Sequence, residues 1–295
     1  MSFGFCLFES CNEIEDCTLD PYGNYAVATF DVLNDKDQFI KFAHALADVA
    51  KAHTLKYFRL DSVSIHSKEE LTFDPVTIAD RQAEKAMREL IGLERPEDGI
   101  LGEEYPPKTG STGYTWILDP IDGTRGYISG TPTWGTLIAL NHNGLPIYGV
   151  IDQPYIGERF SGGLDEAIFR GPLDNKNLSV SNVEEFRDAV LFSTYPEIGT
   201  SEELRGFKQV AEKCKLTRYG LDCYAYGLLA MGNIDIVIEA GLKPYDIQAP
   251  IAVIKAAGGN VTNWNGGPAE LGGRVLATGS LELHEKALNI LKLIS

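Results

Sequence analysis

Apolar residues recur along this chain with two different periods. Over residues 37–57, Phe39, Phe42, Leu46 and Val49 fall at helical spacing, which predicts a helix. A second helix is predicted over residues 77–91, where Thr77 and Asp80 match a capping box. Asp80 also shares a face with Ala83, Met87 and Leu90. A carboxylate on an apolar face needs a partner. Short apolar runs predict strands at residues 99–102, 114–118, 136–140 and 147–151. Beyond Gly171 and Pro172 the pattern predicts a strand at 189–193, a helix at 223–230, a fully buried strand at 234–238 and a helix at 247–257 that stops at Gly258 and Gly259. A last strand at 275–278 and a closing helix at 283–293 complete the chain. The first 36 residues are acidic and mixed, with a turn at 20–24 and a short strand at 25–30. There is no repeat and no low-complexity linker. The organisation expected is an N-terminal extension of unknown role (1–36), an α+β half (37–171) and an α/β half (172–295), with a cleft between the halves.

Acidic residues gather at the ends of predicted strands. The run Trp116, Ile117, Leu118 ends in Asp119, Pro120, Ile121 and Asp122, followed by Gly123 and Thr124. Two carboxylates held that close repel one another, and a divalent cation beside them relieves the repulsion. Oxygen ligands suit Mg²⁺, which keeps positions open for water and a phosphate. Gly123 and Thr124 offer backbone N–H groups and a hydroxyl to such a phosphate. An Asp turn followed by an Asp helix cap accounts for the same residues, so two readings stand at this point. Glu103 and Glu104 follow the strand at 99–102, where solvated loop acids are the plainer alternative. Asp246 follows Pro244 at the start of an apolar helix, and capping alone would justify it.

Taken together, these segments resemble the inositol monophosphatase family of Mg²⁺-dependent, lithium-sensitive phosphatases. Residues 116–124 resemble its first signature and residues 244–259 its second; the resemblance spans roughly residue 37 to the C-terminus. Within the family, the segment Arg218, Tyr219, Gly220, Leu221, Asp222, Cys223, Tyr224 resembles the histidinol-phosphate phosphatase branch, as do residues 134–140, 150–160 and 239–246. The resemblance implies an α/β fold of mixed layers, an αβαβα sandwich with metals between the halves. It implies two or three Mg²⁺ ions held by Glu103, Asp119, the carbonyl of Ile121, Asp122 and Asp246. Two such ions about 4 Å apart stabilise both the attacking and the leaving oxygen. Glu103 and Thr124, the latter paired with Asp80, would orient or deprotonate the water. Gly123 and Thr124 would bind phosphate, and Lys68 is a further candidate cation or a solvated surface lysine. Asp222 and Glu239 align with positions that contact the substrate alcohol. A carboxylate pair favours the amine and imidazole of histidinol phosphate over a neutral polyol. Asp222 also sits where a helix N-cap would. The implied activity is hydrolysis of histidinol phosphate in histidine biosynthesis, inhibited by Ca²⁺. The alternatives are inositol monophosphatase or another small phosphomonoesterase, and a non-catalytic metal-binding regulatory protein on the same fold.

Composition narrows the partners. Among 295 residues, 26 are basic and 42 acidic, a formal charge of −16 that opposes nucleic acid and anionic membranes. Local cations must then help attract a phosphorylated substrate. No apolar run is long enough to span a bilayer, and the N-terminus lacks a basic segment like that of a signal peptide. Five cysteines in a long chain suit reduced thiols and a cytoplasmic setting, including Cys6, Cys11 and Cys17. A homodimer is expected from the family pattern. Aspartyl-phosphate phosphatases need their two Asp two residues apart, whereas Asp119 and Asp122 are three apart. The chain has no GxGxxG, P-loop, HExxH, CxxC or GxSxG motif.

Overall fold

A computed structural model describes residues 30–60, 65–67 and 75–293. Lys68, the three N-terminal cysteines and the turn and strand expected before residue 30 lie outside the described residues. The first elements in chain order are α1 (Phe30–Tyr57), β1 (Ile65–Ser67), β2 (Pro75–Thr77), α2 (Ile78–Glu94), β3 (Gly99–Gly102), β4 (Tyr114–Asp122) and α3 (Thr124–Ile128). Then come β5 (Gly135–His142), β6 (Leu145–Gln153), β7 (Glu158–Gly163), β8 (Glu166–Arg170), β9 (Asn175–Asn177) and β10 (Val190–Ser193). The rest are α4 (Ser201–Ala211), β11 (Leu216–Tyr219), α5 (Cys223–Ala230), β12 (Ile236–Leu242), α6 (Pro244–Ala256), β13 (Asn260–Asn263), β14 (Gly273–Thr278) and α7 (Leu281–Leu291). Residues 39–295 form one unit by their internal contacts.

Two sheets carry this unit. One has seven strands in the order β3-β4-β5-β6-β7-β8-β9; the other has five, in the order β11-β10-β12-β14-β13. Their central strands are covered on both faces, which is why β4, β5 and β6 carry long buried runs rather than an alternating pattern. Along β4, Trp116 and Leu118 point into a core with Phe39, Leu46, Met87 and Ile91 of α1 and α2. Ile117, between them, faces a core shared with α5 and α6. That same core takes Val237 and Ala277 of the second sheet. The far face of that sheet, through Ile236, Ile238 and Leu276, packs on Phe207 of α4 and Leu283 of α7. The layers are therefore helices, sheet, helices, sheet, helices, the αβαβα sandwich that the family resemblance implies.

Helix α6 lies in the middle layer and is buried without a break from Ile247 to Ile254. Its approach to the first sheet depends on glycine. A Cβ on Gly149 would meet the Ala249 carbonyl oxygen at 2.3 Å, and one on Gly162 would meet the Val253 Cα at 2.8 Å. At its N-terminus α2 closes the expected capping box, with Thr77 Oγ1 accepting from the Ala79 amide and Asp80 accepting from the Thr77 amide.

Several elements differ from the sequence reading. Helix α1 is already helical at Phe30, where a strand end was expected. Strands β7, β8, β9 and β11 and helix α4 were not anticipated. Glu158, Arg159, Ser161, Gly162 and Gly163 make β7 look like a loop, and its apolar content is a single Phe160. Helix α4 carries only a narrow apolar stripe, with Gly206, Phe207 and Val210 buried.

Two stability outcomes follow from this packing. Gly149→Ala is expected to lower stability by about 1–3 kcal/mol, because the new methyl must displace the α6 backbone. A fall in the urea midpoint at constant slope is the measurement. His284, buried on α7 with its ring nitrogens 2.9 Å from Thr262 Oγ1 and 2.9 Å from Thr278 Oγ1, is pushed down to about 4 by burial. The unfolded chain therefore binds a proton that the folded chain refuses. The contribution of neutral His284 is whole above its ordinary pKa of about 6.5 and is lost as pH falls toward 4. Unfolding at pH 7 and pH 5 is expected to show a shallower pH slope in His284→Gln than in the parent chain.

Candidate metal and phosphate site

Strand β4 breaks where Pro120 removes a ladder donor. Asp119 pairs opposite Leu137 and Asp122 opposite Gly135, so three steps on β4 meet two on β5, a bulge. The Thr136 hydroxyl donates to the freed Pro120 carbonyl at 2.8 Å, and the Ile121 amide donates to Asp119 Oδ1 at 3.1 Å. The bulge turns Asp119 and Asp122 toward the same side. Gly123 follows with φ at +85°, and a Cβ there would lie 2.9 Å from the Asp222 carboxyl. Only glycine satisfies both demands.

The start of α6 completes the cluster. Carboxylate oxygens of Asp119, Asp122 and Asp246 lie within 4.8 Å of one another. Asp246 is oriented by the Lys243 amide, which donates at 2.7 Å. Glu103 is placed beside β4 by its amide, which donates to the Leu118 carbonyl at 3.2 Å. Burial, then Glu103 and the other acids, raises Asp119 well above the usual carboxylate range. Burial, then Asp222 and Asp246, does the same to Asp122, and Asp246 is pushed up to about 7, again chiefly by burial. A hard divalent cation among these oxygens would relieve both burial and repulsion, and an all-oxygen donor set suits it. Asp80 supports the same reading. Its Oδ2 accepts from the Thr77 amide and hydroxyl at 2.8 and 2.6 Å, while its buried Oδ1 has no partner. Burial pushes it up to about 6. The Thr124 hydroxyl donates to the Ile121 carbonyl at 3.2 Å.

A cavity of about 290 Å³ opens beside the acids, lined by Thr124, Arg125, Tyr195, Asp222 and Glu239 among others. Asp222 stands at the N-cap of α5 but its side chain makes no capping bond. The Cys223 amide donates instead to Asp122 Oδ2 at 2.6 Å. Asp222 has φ at +46°, unusual for a residue other than glycine, and burial pushes it up to about 6 against the opposing charge of Arg125. Glu239 is buried, accepts from the Thr194 amide and hydroxyl at 2.6 and 2.9 Å, and is pushed up to about 8 by burial.

Comparison with known proteins gives this arrangement its setting. The model of the inositol monophosphatase family matches residues 35–294. The chain belongs to that family. It is 40% identical over 267 residues to the bifunctional phosphatase IMPL2, chloroplastic, of Arabidopsis thaliana, covering 87% of this chain and 75% of that protein. It is 36% identical over 256 residues to the histidinol-phosphatase of Mycobacterium tuberculosis, covering 84% of this chain and 96% of that one. The solved inositol monophosphatase of Zymomonas mobilis superposes with a TM-score of 0.76 at 38% identity, covering 87% of this chain and 98% of that one. The chain is thus a phosphatase-family protein near the histidinol-phosphatase branch, as the sequence resemblance implied.

Residues that the family signatures do not reveal help build the site. Glu84 is buried on α2 and accepts from the Glu104 amide at 2.7 Å and from Arg88 Nε at 2.7 Å. It therefore holds the turn that carries Glu103. Arg125 and Tyr195 meet at the cavity, with Arg125 Nη1 donating to the Tyr195 hydroxyl at 2.9 Å. A Glu four residues before an Arg on α2 was the available signal for the first pair; the second had none. Among the described residues no helix is long and apolar enough to cross a membrane.

Asp119→Asn is expected to stabilise the protein in EDTA, since it removes a buried charge from a repelling group while keeping the shape. A gain of about 1 kcal/mol would raise Tm by roughly 1.5–2 °C in a chain of this size, measurable by calorimetry.

Proposed function

We propose that this chain is a Mg²⁺-dependent phosphomonoesterase that hydrolyses histidinol phosphate to histidinol and phosphate. The observation that carries the reading is the pair of acids, Asp222 and Glu239, lining the cavity beside the metal-type cluster. Histidinol phosphate presents an amine and a titratable imidazole, and carboxylates reward such cations where a neutral polyol gains less. The relatives named histidinol-phosphatase, at 36%, 33% and 32% identity, support it. Inositol monophosphatase is the second reading, favoured by a Rhizobium meliloti inositol-1-monophosphatase at 31% identity over 215 residues.

Glu103, Asp119, Asp122, Asp246 and the Ile121 carbonyl would hold the metal. Bound there, Mg²⁺ supplies Lewis-acid activation of water and positive charge for the leaving oxygen. Gly123 and Thr124 turn their amides to the phosphate. Glu103 and the Thr124 hydroxyl orient the water; in the structure that hydroxyl donates to the Ile121 carbonyl and not to Asp80, the partner expected from the family pattern, whose Oδ1 has no hydrogen-bond partner. The Asp222 carboxylate receives the substrate ammonium. Glu239, which burial keeps protonated near neutrality, ionises more readily once a cation faces it. No covalent enzyme intermediate is required. The family pattern supports a homodimer, and the unpaired thiols Cys214 and Cys223 support a reducing compartment such as the cytoplasm.

Phosphate release from histidinol phosphate, inositol 1-phosphate, fructose 1,6-bisphosphate and a 3′-phosphonucleotide, with Mg²⁺ and with EDTA, tests the assignment. Activity is expected to need Mg²⁺ and to favour histidinol phosphate; full activity in EDTA would end the metal reading. Thr124→Ala is expected to lower kcat far more than it raises KM. Asp222→Ala is expected to cut kcat/KM for histidinol phosphate by about 10- to 150-fold relative to p-nitrophenyl phosphate, which has no ammonium. If the ratio stays put, inositol phosphate moves ahead as substrate.

A further inference from the structure

The cavity has a second kind of surface besides its acids. Tyr195 follows β10 and lines the cavity, a large aromatic side chain left 41% exposed. It is tied down from several directions. The preceding residue, Thr194, gives its amide and hydroxyl to Glu239 at 2.6 and 2.9 Å. Ser193 Oγ donates to the Tyr195 carbonyl at 3.4 Å. At the ring tip Arg125 donates to the hydroxyl at 2.9 Å, with its guanidinium carbon 5.2 Å from the ring centre. Arg125 belongs to α3, directly after the phosphate turn, whereas Tyr195 belongs to the second sheet's connection, so the contact joins two segments far apart in sequence.

We propose that Tyr195 is a specificity-determining residue, a prefixed aromatic wall against which a flat ring on the leaving group packs. An exposed aromatic ring whose backbone and tip are both held costs little ordering when a ligand arrives. A polyol has no flat apolar face to offer it. A leaving group bearing an ammonium and a planar heteroaromatic ring meets both surfaces at once, the ammonium at Asp222 and the ring at Tyr195. In this arrangement Glu239 has a further part as a positioning residue, since it holds the segment that presents the ring. The proposal rests on the histidinol phosphate reading for the identity of the ring, but the wall itself can be tested without it.

The test compares kcat/KM for 3-phenylpropyl phosphate and propyl phosphate on the full chain with Mg²⁺, alongside histidinol phosphate. 3-Phenylpropyl phosphate places a flat ring at the same distance from phosphate without an amine. In Tyr195→Ala the ratio of 3-phenylpropyl to propyl phosphate is expected to fall by about fivefold or more, chiefly through KM. Tyr195→Phe is expected to stay within about twofold of the parent, since the ring remains. Because each ratio is taken on one preparation, partial loss of folded enzyme cancels. An unchanged ratio in Tyr195→Ala overturns the wall, and so does an equal fall in Tyr195→Phe, which would assign the effect to the hydroxyl. A parent enzyme that prefers histidinol phosphate while its Tyr195→Ala ratio stays level loses the wall and keeps the substrate. A parent enzyme indifferent to histidinol phosphate whose ratio falls in Tyr195→Ala keeps the wall and loses the substrate.

Discussion

The site depends on helix α6 being buried between two sheets. A helix apolar on every side has no solvent face, and its position is set by what it packs against rather than by water. Gly149 and Gly162 allow the first sheet to come into backbone contact with it. The closeness fixes where α6 begins, and its first turn carries Asp246. The bulge at Pro120 does the complementary task on β4, turning Asp119 and Asp122 to meet it. Neither device works alone: the acids come from segments more than a hundred residues apart, and only core packing holds them against their own repulsion.

Around that cluster, carboxylates serve as backbone anchors. Asp122 caps α5 through the Cys223 amide, Glu239 takes the Thr194 amide, and Glu84 takes the Glu104 amide. A carboxylate that accepts a backbone amide is oriented by it, and it orients the loop in return. The acidic excess of the chain thus has a structural use as well as a chemical one. Asp222 is the exception, with left-handed backbone and no amide to cap. Its backbone strain is held in place by the surrounding structure.

Much of this protein was legible in local patterns. The capping box of α2, the buried run of β4 and the glycine stop after α6 are short-range features, because caps, periodicity and turn residues act within a few positions. The αβαβα layering followed from resemblance and holds in the packing of both sheets. Strands β7 to β9 and β11 were not legible. β7 and β9 have the composition of loops, and β8 and β11 are too short to show a period; neighbouring strands make them strands by offering hydrogen-bond partners.

The acidic positions, the interruption of the strand ladder at Pro120, the turn at Gly123 and the family pattern they belong to are all written in local sequence. Tertiary structure alone decided what each acid touches. Asp222 sits at a helix N-terminus and reads equally as a cap, yet its side chain makes no capping bond; the Tyr224 and Ala225 amides donate to the Leu221 and Asp222 carbonyls, and Asp122 from a distant strand takes the Cys223 amide. Arg125 and Tyr195 are ordinary residues in their own segments, and their contact at the cavity exists only because the second sheet packs against the middle helices. The reason is range. Backbone preference is written over a few residues, whereas the partner of a buried charge is whichever group long-range packing delivers within hydrogen-bonding distance.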